Sequence, residues 1–160
     1  MFTMVEVWPA GPEGEVAEMT QSSALTVALD EYVGARDEIA AKARIDLGVS
    51  ELEAAALRCI GDEPGIRPSH LRSRLGVTPA GVTTLVDRLI GRGLLRRELD
   101  ADDRRVNHIY LEIDLTVEPW AGLRRFPTEV EAAVLLEPRE VAEAAAALLH
   151  RITERVRTRV

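Results

Sequence analysis

The chain has 160 residues, of which 46% are hydrophobic and 29% charged, the composition of an ordinary globular protein. A single cysteine, Cys59, excludes an intrachain disulfide and suits a reducing cytoplasm, and no apolar run approaches the roughly 20 residues of a membrane-spanning helix. The net charge of −7 argues by itself against binding to nucleic acid, but the charge is unevenly distributed.

The N-terminal stretch, residues 1–20, is rich in Pro, Gly and acids and predicts a flexible tail. It has neither the basic start nor the apolar core of a signal peptide, so we predict a cytoplasmic protein. The remainder, residues 21–160, is expected to form a single domain. Its first helix is predicted over 22–47, where apolar residues recur every three or four positions before Gly48.

Three further helices are predicted next, over 51–60, 68–75 and 79–90. The first begins at a capping box from Ser50 to Glu53 and should stop at Gly61. The second begins at a proline, and the third follows a threonine cap with a proline at its first position. The third helix carries one apolar stripe, formed by Val82, Leu85, Val86 and Leu89.

A β-hairpin follows the helices, with strands predicted over 94–99 and 107–113 and a polar tip between them. In the second strand apolar and polar positions alternate, the pattern of a half-buried strand, with Ile109, Leu111 and Ile113 opposite His108, Tyr110 and Glu112. Two helices joined by a tight turn and followed by a hairpin predict a winged helix-turn-helix.

The C-terminal part is predicted to contain an irregular segment and two helices. Residues 114–127 should be irregular because two prolines and a glycine interrupt them. A second capping box, from Thr128 to Glu131, predicts a helix over 128–136. The last helix is predicted over 138–157, with the apolar stripe Val141, Ala145, Leu148, Leu149, Ile152 and Val156.

Positive charge is concentrated in the helix-turn-helix and hairpin segment. Between Gly65 and His108 there are nine arginines and five acids, a balance of about +4, against about −11 for the remainder. A local basic face on an acidic body can contact phosphates. The alternative is a solvated, arginine-rich surface without a ligand.

Helix 79–90 is the candidate recognition helix. With its apolar stripe inward, it exposes hydroxyl groups, small residues and one arginine, namely Thr78, Ala80, Gly81, Thr83, Thr84 and Arg88. Arg104 and Arg105 at the hairpin tip are predicted to enter a minor groove or contact its phosphates. Asp87 is predicted to have a structural role and to hold an arginine of the wing strands, such as Arg97, instead of DNA. The competing interpretation is a small helical bundle with a hairpin and no ligand.

The run LGVTPAGVTTLVDRLIGRGLLRRELDADDRR, residues 75–105, resembles the MarR family of winged helix-turn-helix transcriptional regulators. The resemblance implies a mainly α fold with a small β-hairpin wing. It implies a winged domain over about 50–113, between dimerisation helices over about 22–47 and 128–159. It further implies a cytoplasmic homodimer that reads a palindromic operator in double-stranded DNA, as a repressor for example, and uses no cofactor.

The same resemblance implies control by a small aromatic or phenolic effector, for which Tyr32, Arg36 and His70 are candidate lining residues. Each has an alternative role, since Tyr32 falls on the apolar stripe of helix 22–47 and Arg36 can form a surface ion pair. Cys59 is interpreted as a buried, inert thiol and less readily as an oxidant sensor. The histidines have no metal-ligand spacing and no hydrolase or nucleotide-binding motif is present, so an enzyme is not expected.

The chain also departs from the family pattern. Arg67 stands where a Ser or Thr would cap a helix, and Arg72 stands where the family has a small residue. Ala80 and Gly81 offer little to a base edge, and residues 114–127 form an insertion. These departures motivate an alternative function, a MarR-shaped ligand-sensing or protein-scaffold module with little or no DNA binding.

Overall fold

The computed structural model describes residues 23–100 and 107–158, and the predicted N-terminal tail, 1–20, lies outside them. The described chain is mainly α-helical with one antiparallel hairpin, which confirms the predicted fold class. None of its described helices is long and apolar enough to cross a membrane. The elements are α1 Ala24–Leu47, α2 Glu51–Asp62, α3 Pro68–Leu75, α4 Pro79–Gly91, β1 Leu95–Leu99, β2 Asn107–Leu111, a 3₁₀ helix Trp120–Arg124, α5 Arg125–Val134 and α6 Arg139–Arg157.

The chain divides into two compact units, residues 1–35 and 36–160. The described part of the first unit is the N-terminal half of α1. Most of its large apolar side chains are exposed, including Tyr32, which is 46% exposed. Tyr32, which falls on the predicted apolar stripe, is thus not buried in the single chain, because helical spacing identifies an apolar face but not what covers it.

The second unit contains the core, and most of the core residues lie in the winged segment, residues 50–113. The α4 stripe is buried as predicted, and Leu71 of α3 and Ile109 of β2 pack with it. Helix α2 adds Ala54, Ala56, Leu57 and Ile60 to the same core. Burial of these apolar side chains is the main stabilising term of the winged segment.

The hairpin is fastened to the turn that precedes α3. Strand β1 pairs with β2 from Leu95 opposite Leu111 to Leu99 opposite Asn107. The Gly65 amide donates to the Ile109 carbonyl at 3.0 Å, and the Ile109 amide donates to the Ile66 carbonyl at 3.1 Å. This isolated bridge places the turn before α3 beside β2, and His108 and Tyr110 are half-buried instead of exposed as the alternation predicted.

Helix α2 does not stop at Gly61 as predicted but continues to Asp62. The Glu63 amide ends it by donating to the Cys59 carbonyl at 3.1 Å. A Cβ on Gly61 would lie only 2.8 Å from Leu115 Cδ1 and 3.2 Å from Leu111 Cδ1. The glycine therefore permits close packing inside the helix, which sequence punctuation alone could not distinguish from a stop.

The segment predicted to be irregular, 114–127, is largely ordered. Asp114 accepts hydrogen bonds from the Thr116 amide at 2.8 Å and from its hydroxyl at 2.7 Å, and Leu115 and Leu123 are buried. Arg124 of the 3₁₀ helix forms an ion pair with Asp62 of α2. The insertion is thus a packed continuation of the winged segment.

Both C-terminal helices are present, but α5 begins earlier than predicted and α6 is not buried. Thr128 does not cap a helix, because α5 already begins at Arg125 and the Thr128 hydroxyl donates to the Arg124 carbonyl at 2.9 Å. Pro127 lies in the first turn of α5, where a missing N–H leaves no helical hydrogen bond broken. The last helix, α6, follows Pro138 nearly as predicted, but no described residue in it is buried.

Candidate nucleic-acid interface

The start of α4 is built by Thr78 and Pro79, as the sequence predicts. The Thr78 hydroxyl accepts a hydrogen bond from the Gly81 amide at 3.1 Å, and its carbonyl accepts one from the Val82 amide at 3.0 Å. Pro79 has no N–H to offer. In the first turn, the Ala80 amide is the N–H group that these bonds leave unused. The N-terminus of α4 can therefore donate few hydrogen bonds to a phosphate from another molecule.

The predicted reading face of α4 lies opposite its buried stripe. Thr78, Ala80, Thr83 and Thr84 are exposed and Gly81 is half-buried. The Thr83 hydroxyl donates to the Pro79 carbonyl at 3.1 Å, which leaves the hydroxyl oxygen able to accept a hydrogen bond on this exposed face. The face is therefore compact and small, with two threonine methyl groups suited to apolar contact.

Arg88, the one basic residue predicted on this face, is joined to a buried carboxylate. Glu53 of α2 has a side chain that is only 6% exposed, and it lies 3.4 Å from Arg88 Nε and 3.6 Å from Arg92 Nη1. Glu53 also accepts from the Ser50 amide at 2.7 Å, completing the predicted capping box. Part of the Arg88 charge is thus neutralised within the protein, although its side chain is 57% exposed.

The ionisation of Glu53 is maintained by this arrangement. Burial raises the pKa of the carboxyl, but the hydrogen bonds from Ser50 and the charges of Arg88 and Arg92 outweigh burial and lower it overall. Glu53 consequently remains a carboxylate that holds the N-terminus of α2 against the C-terminal half of α4.

Further contacts connect α4 to the wing. Arg97 of β1 lies 2.8 Å from the Asp87 carboxylate, which confirms the predicted structural role of Asp87. Arg96 is placed 4.6 Å from the centre of the Tyr110 ring and is ion-paired with Glu98 and Glu112 at 2.8 and 3.2 Å. These two arginines stabilise the wing and contribute little unshielded charge.

Two arginines in the described part of the segment have no ion pair with another described residue. Arg67 precedes α3 without a side-chain capping bond, and Arg72 lies in the last turn of α3; both are exposed. Arg74, by contrast, is 3.7 Å from Glu63. The positive charge that lacks an ion pair in the described segment therefore lies at the start of α3 and in its last turn, at two of the positions that depart from the family pattern.

The remaining predicted site residues are the wing-tip arginines and the candidate effector residues. Arg104 and Arg105, like Asp102 and Asp103, lie outside the described residues. Arg36 forms a surface ion pair with Asp37 at 2.9 Å, which confirms its alternative role. His70 of α3 is exposed and lies 3.8 Å from Glu63.

Cysteine and metal chemistry have little support in the described residues. Cys59 is partly buried and packs against the core, which agrees with a structural thiol. No group of three His, Cys, Asp or Glu suited to a metal ion occurs within 23–100 and 107–158.

Two structural residues of this region could not be predicted from the sequence. Glu53 was identified as a helix cap, but its ion pairs with Arg88 and Arg92 join positions far apart in the chain. His108 was assigned only to a strand face, whereas it contacts Gly65 and Asp100. No local signal distinguishes such tertiary contacts from ordinary surface positions.

Comparison with known proteins agrees with this geometry. Residues 47–106 match the model of the MarR family. MepR of S. aureus bound to ethidium bromide superposes with a TM-score of 0.63 at 18% identity, over 88% of this chain and 99% of that one.

Two further solved structures have the same fold. A MepR mutant bound to an oligodeoxyribonucleotide gives a TM-score of 0.56 at 17% identity, over 84% of this chain and 99% of that one. The transcriptional regulator Tm0710 from Thermotoga maritima gives 0.54 at 22% identity, over 86% and 97%. No curated protein sequence matches the chain significantly. The resemblance recognised in the sequence is thus confirmed: residues 47–106 match the MarR family, and the chain has the winged-helix fold of MarR-type transcriptional regulators.

Proposed function

We propose that this protein is a DNA-binding transcription regulator that acts as a cytoplasmic homodimer on a palindromic operator. The observation that carries the proposal is the outward face of α4, held on one side by Glu53 and on the other by the Asp87–Arg97 ion pair. Helix α4 would enter the major groove, and the wing would contact the adjacent minor groove through Arg104 and Arg105.

The distribution of charge supports a particular mode of binding. Arg88, Arg92, Arg96 and Arg97 all have carboxylate partners within the protein. Phosphate contacts would then be made by Arg67 just before α3, by Arg72 on α3 and by the wing tip. The α4 face, with Thr83 and Thr84, would supply apolar and hydroxyl contacts to base edges. Affinity would be strongly salt-dependent and base discrimination modest.

The direct test is fluorescence anisotropy with a labelled duplex from the promoter region beside its own gene, over a series of salt concentrations. Binding should weaken linearly in log–log form as salt rises. Replacing Arg67 and Arg72 by Gln should lower the slope by about 4, because the dimer loses two arginines from each subunit and each phosphate contact contributes roughly one counterion. Arg104→Gln with Arg105→Gln should have a similar effect.

The matched control replaces Arg139 and Arg157 by Gln, since both are exposed on α6 and paired within that helix. That control should leave the slope unchanged. Absence of binding at low salt by a folded dimer would refute the proposal. If the control lowers the salt slope equally, DNA binding depends on the overall charge of the protein and not on these particular arginines.

The alternative function is a MarR-shaped module that senses a ligand or acts as a protein scaffold, with little or no DNA binding. The same internal pairing of arginines favours it, because few cations remain for phosphates. A folded dimer that binds no DNA at low salt would support this alternative function.

Small-molecule control is part of the proposal. The MepR complex with ethidium bromide shows a ligand on that relative, which has the same fold. A panel of hydroxybenzoic acids should lower DNA affinity if a phenolic effector site exists, and Tyr32→Ala or His70→Ala should weaken that response. An unchanged response in both variants would remove these residues from the site.

A further inference from the structure

His108 lies where the wing begins, and both of its ring nitrogens have oxygen partners. Nδ1 is 2.7 Å from the carbonyl oxygen of Gly65, in the turn before α3. Nε2 is 2.9 Å from a carboxylate oxygen of Asp100, which follows the last residue of β1. The side chains of His108 and Asp100 are only 22% and 28% exposed, so water competes weakly for these contacts.

The chemistry of the two partners determines the charge of the ring. A backbone carbonyl oxygen can only accept a hydrogen bond, and an ionised carboxylate can only accept one as well. A neutral imidazole has a single N–H and would therefore leave one of the two contacts without a proton. Both contacts are satisfied together only by the imidazolium ion.

We propose that His108 is a positioning residue that, in its doubly protonated form, joins the base of the wing to the turn before the helix-turn-helix. The imidazolium links Asp100 at the end of β1 to Gly65, which also donates to β2 through its amide. When the ring loses a proton, one of the two links is lost and the wing base is held less firmly against α3. The consequence for DNA affinity rests on the proposed function; the ring charge itself does not.

The surrounding charges act in opposite directions. Hydrogen bonding to the Gly65 carbonyl and to Asp100 raises the pKa of His108 above its ordinary value of 6.5, while burial and the nearby Arg67 oppose that rise. Glu98 stands opposite His108 in the strand register and adds a further negative charge to the neighbourhood. Because the folded-state pKa is raised, the link is complete at pH values below 6.5 and is lost as the pH rises through the raised value.

The first test requires no DNA. Long-range ¹H–¹⁵N spectra of the ¹⁵N-labelled full chain, with His108→Gln used for assignment, report the charge of each ring over a pH titration. The His108 ring should carry protons on both nitrogens at pH 6.5 and lose one only at higher pH. Amide exchange at Leu99 and Asn107, corrected for its intrinsic pH dependence, should accelerate over the same interval. A neutral His108 ring at pH 6.5, or exchange that does not follow its titration, would overturn the proposal.

The second test measures DNA affinity at constant ionic strength between pH 6 and pH 8.5. Affinity of the unmodified protein should fall about three- to tenfold across this range, the effect of one hydrogen bond. His108→Gln and Asp100→Asn should flatten the profile, and His150→Gln, on α6, should retain it. An unaltered profile in the first two variants would overturn the link between His108 and DNA binding. If the unmodified protein binds no DNA at any pH, the proposed function fails, and the ring titration still decides the charge of His108.

Discussion

At the scale of single residues, one buried carboxylate organises the charges beside the candidate recognition helix α4. Glu53 is the only charged residue among the buried positions of the described chain, and it serves α2 as a cap and α4 as an ion-pair partner. A buried carboxylate with several partners is costly to disturb, because removing its charge leaves those partners unsatisfied. A substitution at Glu53 therefore tests how strongly α2 holds α4 in place.

We expect Glu53→Gln to lower the free energy of unfolding by about 1–3 kcal/mol at pH 7, because the buried acceptor loses its charge. The folded pKa of Glu53 is lowered, so its contribution is present above the ordinary value of 4.5 and is lost as the pH falls through the folded value. The difference in free energy of unfolding between the unmodified protein and Glu53→Gln, measured by urea denaturation, should decrease as the pH falls. Glu51→Gln, an exposed change in the same helical turn, is the control and should stay within about 0.5 kcal/mol. A difference that persists undiminished at low pH would contradict this role of the carboxylate.

At the scale of elements, the insertion after the wing belongs to the packed structure of the winged segment. Helix α2 meets it at Gly61, where side-chain atoms of Leu111, Leu115 and Arg124 lie within 3.2 Å of the position that an added Cβ would occupy. Arg124 is also ion-paired with Asp62. The irregular composition of residues 114–127 reflects tight turns, since prolines and small residues permit the chain to fold back onto α2.

We expect Gly61→Ala to destabilise the protein by about 1–3 kcal/mol, as overpacking does, although alanine is the better helix former. Gly91→Ala is the matched control, because Gly91 is also helical and has nothing within 4 Å of an added Cβ. The control should be neutral or slightly stabilising. Thermal and urea denaturation of both variants would measure the contrast, and two equal responses would mean that helix propensity outweighs packing at Gly61.

At the scale of the whole molecule, the exposed apolar faces favour assembly. No described residue of α5 or α6 is buried, yet α6 presents Leu148, Leu149 and Val156 along one stripe. An amphipathic helix with an uncovered apolar face gains free energy when a partner covers it. A second copy of the chain is the partner that the proposed palindromic operator requires.

We expect the protein to sediment as a dimer and Leu149→Glu to shift it toward the monomer. The carboxylate would be buried without a partner in the interface, which costs several kcal/mol in typical cases, about 3–5. Arg151→Glu introduces the same group on the opposite side of α6 and should leave the dimer intact. Analytical ultracentrifugation measures both, and a monomeric parent protein would exclude a dimeric operator complex. Retention of the dimer by Leu149→Glu would exclude this stripe as the contact.

The sequence alone determined the winged helix-turn-helix and most of its boundaries. The apolar stripe of α4, the cap at Thr78 and the capping box at Ser50 were predictable because each depends on neighbours a few positions apart. The pairing of Asp87 with an arginine of the wing strands, such as Arg97, was also predicted, since α4 and β1 are connected directly.

Only the tertiary structure decided what lies far apart in the chain. It showed that Gly61 packs inside a helix, that Arg88 is joined to Glu53, and that His108 links Gly65 to Asp100. Local propensity and periodicity describe which face of an element is apolar, but they do not specify which distant side chain meets it. The ion pairs and contacts at the candidate interface depend on these tertiary contacts, so they could be determined only from the folded structure.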